Sequence, residues 1–255
     1  MGSEQDGADR LPVLILGGTT EASALARALA TAPRLALTLS LAGRTLNPTL
    51  PRVPTRLGGF GGAEGLAAWI AGHRIARVVD ATHPFAARIS RNAATACAQT
   101  GVMLLAIRRP PWDRMEGDRW IEVDDMAAAA AAVGSAPRRV FLTIGRQELG
   151  AFAAAPQHDY VARTIEPIGD ALSVPRLTEI TARGPFTLAD EIAFLREAGI
   201  EVLVTKNSGG TATSAKIAAA RELGLSVIIL RQPNMPDVPS VPAVEGAIAW
   251  LSGCV

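Results

Sequence analysis

The feature that most restricts this chain is an alternation, from Leu11 onward, of apolar runs of four to seven residues with longer Ala-rich stretches of helical spacing. Short runs of consecutive Val, Ile and Leu suit strands covered on both faces, and the stretches between them suit the helices that cover them. The alternation therefore predicts α/β architecture: mostly parallel sheets flanked by helices, in two Rossmann-like domains. In the first half, strands are expected at 13–16, 36–40, 78–80 and 102–107, with a short one at 53–57, and helices near 21–30, 63–71 and 85–100. Pro110-Pro111-Trp112 can neither continue a helix nor sit inside a sheet, which puts a boundary between about 109 and 119. A second series follows, with strands at 120–123, 140–144, 160–164, 179–181, 202–205 and 226–230 and helices at 125–133, 148–153, 188–198, 213–222 and 244–251. The expected organisation is a disordered arm over 1–10, one domain over 11–112 and a second over 113–255. The halves end alike, LLAIRRPP at 104–111 and VIILRQPN at 227–234, which fits two similar sheets and leaves room for an exchange of their terminal strands.

Composition narrows the partners. Lys plus Arg number 25 against 24 Asp plus Glu, so the net charge of +1 lacks the basic excess that a general phosphate-backbone binder needs, and no nucleic-acid partner is expected. Cys97 and Cys254 have no second thiol at ligand spacing, so neither a disulfide framework nor a metal site is expected. No apolar run reaches the ~18 residues that cross a bilayer, and the segment MGSEQDGADR is polar, so a cytoplasmic protein without a membrane partner is expected.

The first strand runs into Gly17-Gly18-Thr19-Thr20-Glu21-Ala22 and then a helix. In an open α/β sheet this turn offers backbone N–H groups and a helix dipole to an anion, so it is a candidate pyrophosphate seat. The equal alternative is a tight turn capped by Thr19 or Thr20 that binds nothing. One β-α-β unit later the second strand ends Leu39-Ser40-Leu41-Ala42-Gly43-Arg44, without the acid that NAD-binding units use on the ribose. Ser40 and Arg44 in its place point to NADPH rather than NADH. The loop Gly58-Gly59-Phe60-Gly61-Gly62 either lies against the coenzyme or serves as a flexible connection. Asp80-Ala81-Thr82-His83-Pro84 ends a strand where such sheets bind ligands, so Thr82 and His83 are candidates to face the nicotinamide or the substrate. A lone histidine is more often a structural residue; as a functional one, His83 would transfer a proton.

In the second half, Thr143-Ile144-Gly145-Arg146-Gln147 and Thr205-Lys206-Asn207-Ser208-Gly209-Gly210-Thr211 each place a cation beside backbone donors after a strand, and Arg183-Gly184-Pro185-Phe186 adds a third basic loop. Singly these cations read as solvated surface charges. Converging on one crevice, they would hold a polycarboxylate.

Taken together these segments resemble the precorrin-6A reductases of cobalamin biosynthesis. The resemblance rests on LGGTTEA at 16–22, SLAGRT at 40–45, GGFGG at 58–62, DATHPFA at 80–86, RPPW at 109–112, TIGRQEL at 143–149, RGPF at 183–186 and TKNSGG from Thr205 with Thr213 and Lys216, in family order over nearly the whole chain. It implies an oxidoreductase that uses NADPH to reduce a macrocycle double bond of the tetrapyrrole polycarboxylate precorrin-6A, giving precorrin-6B. It also implies a coenzyme domain, a substrate domain, an active site in the cleft between them, and hand-over of product to the next pathway enzyme. Gly17, Gly18, Thr19, Thr20, Glu21, Ser40, Arg44, Gly59 and Thr82 would hold NADPH. Arg146, Arg183, Lys206, Ser208, Gly209 and Lys216 would face the tetrapyrrole, with His83 and Lys206 as candidate proton donors. The competing readings are a coenzyme-free two-domain tetrapyrrole synthase or lyase and a nucleotide-sensing module.

Overall fold

The computed structural model describes residues 10–43 and 51–253. The expected arm up to residue 9, Arg44 and Cys254 lie outside the described residues. The chain divides into two compact units, one made of residues up to Arg109 together with Pro233–Val255, the other of Pro110–Gln232.

The first unit holds a parallel sheet of β1 (Leu11–Leu16), β2 (Leu35–Leu41), β3 (Thr55–Leu57), β4 (Arg77–Asp80), β5 (Met103–Ile107) and β12 (Ser240–Val241), in the order β12-β5-β4-β1-β2-β3. Its helices are α1 (Thr20–Leu29), α2 (Ala63–Gly72), α3 (Ala87–Thr100) and α7 (Val244–Ser252). Successive side chains of a strand point to opposite faces. Val13 and Ile15 of β1 accordingly join the core under α1 and α7, with Leu25, Leu29, Ala247 and Leu251. Leu14 and Leu16 join the core under α2 and α3, with Leu66, Ile70, Ala93 and Ala96. That is why β1 is an unbroken apolar run. α1 starts at Thr19, whose Oγ1 accepts the Ala22 N–H at 3.1 Å, and α3 ends on Gly101 in the left-handed region.

The second unit repeats the plan with β6 (Arg119–Val123), β7 (Arg139–Leu142), β8 (Asp159–Thr164), β9 (Leu177–Thr181), β10 (Val202–Lys206) and β11 (Ser226–Leu230), all parallel, in the order β6-β11-β10-β7-β8-β9. Its helices are α4 (Met126–Ala132), α5 (Leu188–Glu197) and α6 (Ala215–Glu222). The helix expected at 148–153 is a 3-10 segment over Arg146–Ala154. Residues of α5 and α6 bury Phe141, Val161, Leu203, Val227 and Ile229 on one face of this sheet. No helix of the described residues is long and apolar enough to cross a membrane.

In each sheet the place at one end is taken by a strand out of chain order. β6 follows β5 directly in the chain but pairs with β11, and β12 follows β11 but pairs with β5. Residues 233–255, assigned by sequence to the second domain, therefore belong to the first unit. The Ala106 N–H donates to Pro239 O at 2.8 Å and the Arg108 N–H to Val241 O at 2.9 Å, while α7 fills the core beside α1. β12 escaped the sequence reading because it has only two residues, set among prolines. Prolines are tolerated there because an edge strand needs hydrogen bonds on one side only.

Candidate active site

At the carboxyl end of the first sheet, β1 opens into Gly17-Gly18 and the N-terminus of α1. A Cβ on Gly17 would come within 2.8 Å of Leu39 Cδ1, so only glycine lets the turn lie this close to β2. Gly18, at φ 111°, faces open space. Thr19 Oγ1 also donates to Ala81 O at 2.7 Å, which ties this turn to the end of β4. The result is a rigid turn presenting the first N–H groups of a ten-residue helix, a geometry that favours an anion. Thr20 is exposed and donates to Glu21 at 3.0 Å, and Glu21 pairs with Arg109 at 3.0 Å. Thr19, Glu21, Ala81, Thr82, Pro84, Ile107 and Arg109 line a shallow crevice over the ends of β1, β4 and β5.

Beneath that crevice lies Asp80, fully buried. Its Oδ1 accepts from the Thr82 hydroxyl at 2.6 Å and the Thr82 N–H at 3.1 Å, and its Oδ2 accepts from Arg108 Nη2 at 2.7 Å. Thr82 thus turns its hydroxyl inward to the carboxylate. His83 is half-buried, and its Nδ1 accepts the Phe85 N–H at 3.2 Å, which assigns the ring proton of the neutral tautomer to Nε2. Cys97 is inert as a nucleophile, because burial, aided by the Asp80 charge, pushes its thiol up to about 11.

At the ends of β2 and β3, Ser40 is buried, and its hydroxyl accepts from Arg56 Nη1 at 2.8 Å. Arg56 also donates to Gly58 O at 2.9 Å and Gly59 O at 3.0 Å, and its guanidinium lies 3.8 Å from the centre of the Phe60 ring. The Gly58–Gly62 loop is therefore pinned by Arg56 rather than left as a loose connection. The sequence reading passed over Arg56; its signal is an arginine two residues before a glycine-rich loop, on a strand of three residues.

In the second unit Arg146 follows β7, Arg183 follows β9 and Lys206 ends β10, and they differ in their surroundings. Arg146 and Arg183 are exposed, and Arg146 donates to Pro167 O at 3.3 Å. Lys206 closes β10 and pairs with Glu148 at 2.6 Å, and Glu148 also accepts the Gly145 N–H at 3.1 Å. Ser208 and Gly209 are buried in the loop after β10. Trp112 holds that loop: its N–H donates to Asn207 Oδ1 at 2.6 Å, its carbonyl accepts from Asn207 Nδ2 at 3.0 Å, and its indole N–H donates to Gly210 O at 2.7 Å.

Lys216, on the first turn of α6, is only 7% exposed, and its Nζ stands 5.8 Å from the centre of the Trp112 ring. Nearby, Arg163 pairs with buried Glu191 at 2.7 Å and stacks 3.8 Å over Phe186. Burial, reinforced by the Arg163 charge and opposed by that of Glu191, lowers the Lys216 ammonium to about 8. The sequence marked Lys216 only through its resemblance to a family; its burial comes from the packing of α5 and α6 around it.

A protein-family model described as precorrin-6x reductase CbiJ/CobK matches residues 12–252. The precorrin-6A reductase of a Sinorhizobium species is 54% identical, with 94% of each chain covered. That of Rhodobacter capsulatus is 48% identical over 94% of this chain and 95% of its own. The solved structure of CobK precorrin-6A reductase superposes with a TM-score of 0.88 at 47% identity, covering 95% of this chain and 96% of that one. A match of this extent, on top of two parallel sheets with their glycine turn and basic loops, places the chain in the precorrin-6x reductase CbiJ/CobK family.

Proposed function

We propose that this protein reduces a macrocycle double bond of precorrin-6A with NADPH, giving precorrin-6B in cobalamin biosynthesis, with the coenzyme on the first sheet and the tetrapyrrole on the second. The observation that carries the coenzyme half is the Gly17-Gly18 turn, where a Cβ on Gly17 would come within 2.8 Å of Leu39 Cδ1, opening on the N-terminus of α1. The residues present fit a dinucleotide. Gly17, Gly18, Thr19 and Thr20 bind the pyrophosphate with Glu21 beside them, Ser40 and Arg44 meet the adenosine 2′-phosphate, and Gly59 and Thr82 line the remainder.

When bound, the reduced nicotinamide supplies hydride to one ring carbon. The chain itself orients the acceptor and delivers the balancing proton to the neighbouring carbon. Arg146, Arg183, Lys206, Ser208, Gly209 and Lys216 grip the peripheral carboxylates and fix which bond is presented. His83 and Lys206 are the candidate donors, His83 through an Nε2–H whose tautomer the Phe85 N–H sets. The reaction takes place in the cytoplasm, and the reduced tetrapyrrole passes to the next enzyme of the pathway.

The test is to mix the purified protein with NADPH and precorrin-6A and follow the nicotinamide absorbance. Consumption of NADPH with bleaching of the precorrin is expected. Binding without turnover would favour a sensor, and turnover without coenzyme a synthase or lyase. Arg44→Glu is expected to weaken NADPH at least about tenfold while leaving NADH nearly unchanged, read by fluorescence titration.

A further inference from the structure

Arg56 and Ser40 are direct cross-strand partners on β3 and β2. In a doubly wound sheet the end of the second strand is where the adenosine ribose is read. A guanidinium carries five N–H donors. Three of those on Arg56 go to Ser40 Oγ, Gly58 O and Gly59 O, all neutral acceptors. Among the described residues no carboxylate pairs with it, and two N–H donors remain unused.

The cation is also held still. One face is covered by the Phe60 ring at 3.8 Å, and Phe60 in turn meets Trp69 edge-on at 5.7 Å. Burial lowers the pKa of Arg56, so the fold keeps a positive charge here against a desolvation cost and without a counter-charge among the described residues. A surface arginine would swing into water, whereas three anchors and a ring prevent that. An immobilised cation with spare donors and no acid is built to meet an anion brought from outside.

We propose that Arg56 reads the 2′-phosphate of the coenzyme, as a specificity-determining residue fixed by Ser40 and Phe60. The assignment rests on the reading that the first sheet binds NADPH. It differs from a purely structural role, in which Arg56 only latches the Gly58–Gly62 loop. A latch would affect all adenine nucleotides alike; a phosphate reader affects only those carrying the 2′-phosphate.

The experiment is calorimetric titration of the full chain with 2′,5′-ADP, 5′-AMP and NADPH, for the wild type, Arg56→Gln and Arg56→Lys, each checked for an unchanged circular dichroism spectrum. Arg56→Gln is expected to lose about thirtyfold in affinity for 2′,5′-ADP while 5′-AMP changes less than about threefold. Arg56→Lys, which keeps the charge, is expected to recover much of the discrimination, and the salt dependence of 2′,5′-ADP binding is expected to flatten in Arg56→Gln. Equal losses for both nucleotides, or wild-type binding of 2′,5′-ADP by Arg56→Gln, would overturn the assignment while leaving the reductase reading in place. Should the glutamine variant fail the spectroscopic check, the lysine variant decides: discrimination retained supports the reader, discrimination unrelated to charge refutes it. A wild-type protein that binds no NADPH would instead remove the coenzyme reading itself.

Discussion

Replacing Asp80 with alanine is expected to cost about 3 to 5 kcal/mol of folding stability, measured as a shift of the urea unfolding midpoint at constant slope. Asp80 is fully buried and serves three donors, the Thr82 hydroxyl and N–H on one oxygen and Arg108 on the other. Arg108 already has one terminal nitrogen, Nη1, buried with no partner among the described residues. Without Asp80, its guanidinium loses its 2.7 Å carboxylate partner, and the Thr82 hydroxyl loses its acceptor. The cost of breaking a buried pair from one side comes mainly from the group left behind. Asp80→Asn keeps the shape and should fall between the two. A loss below about 1 kcal/mol for the alanine variant would mean that the pair behaves like an exposed one and that the end of β4 does not depend on it.

Lys216→Met is expected to make the protein more stable and a poorer enzyme. The ammonium of Lys216 is lowered from its ordinary 10.5 to about 8, first by burial and then by Arg163, with Glu191 pulling the other way. Because the folded-state pKa lies below the unfolded one, the unfolded chain binds the extra proton between pH 8 and 10.5, and this group's contribution to stability rises with pH across that window. At pH 7 both states are protonated and the full penalty applies, of the order of 3 kcal/mol. Methionine fills nearly the same space without the charge, so a gain of about 2 kcal/mol at pH 7 is expected, shrinking as pH climbs toward 10.5. If Lys216 grips a substrate carboxylate, the wild-type KM should rise as pH passes about 8 and the charge is lost, and the variant should show a raised, flat KM over the same range. A variant melting below the wild type at pH 7 would refute the claim that this lysine is held at a cost.

Much of the scaffold was legible because it is written locally. The unbroken apolar run along β1 marks a strand buried on both sides, and it holds: Val13 and Ile15 go to one core and Leu14 and Leu16 to the other. Thr19 caps α1 as its residue type and position announce. The helix expected at 148–153 became 3-10 structure over Arg146–Ala154, where Glu148 accepts the Gly145 N–H and pairs with Lys206 of a distant strand. A side chain committed to a partner 58 positions away leaves no periodicity to read.

The amino-acid order alone settled most of the strands and helices and that glycines and cations stand at strand ends, because hydrophobic period and turn chemistry act over a few neighbouring residues. Folding in three dimensions settled the rest: that residues 233–255 return to the first unit, that Arg56 rests on Ser40, that Asp80 holds Arg108, and that Lys216 is walled in. Each of these depends on groups far apart in the chain, and charge pairing, desolvation and edge-strand hydrogen bonding depend on distance in space, which no local pattern encodes.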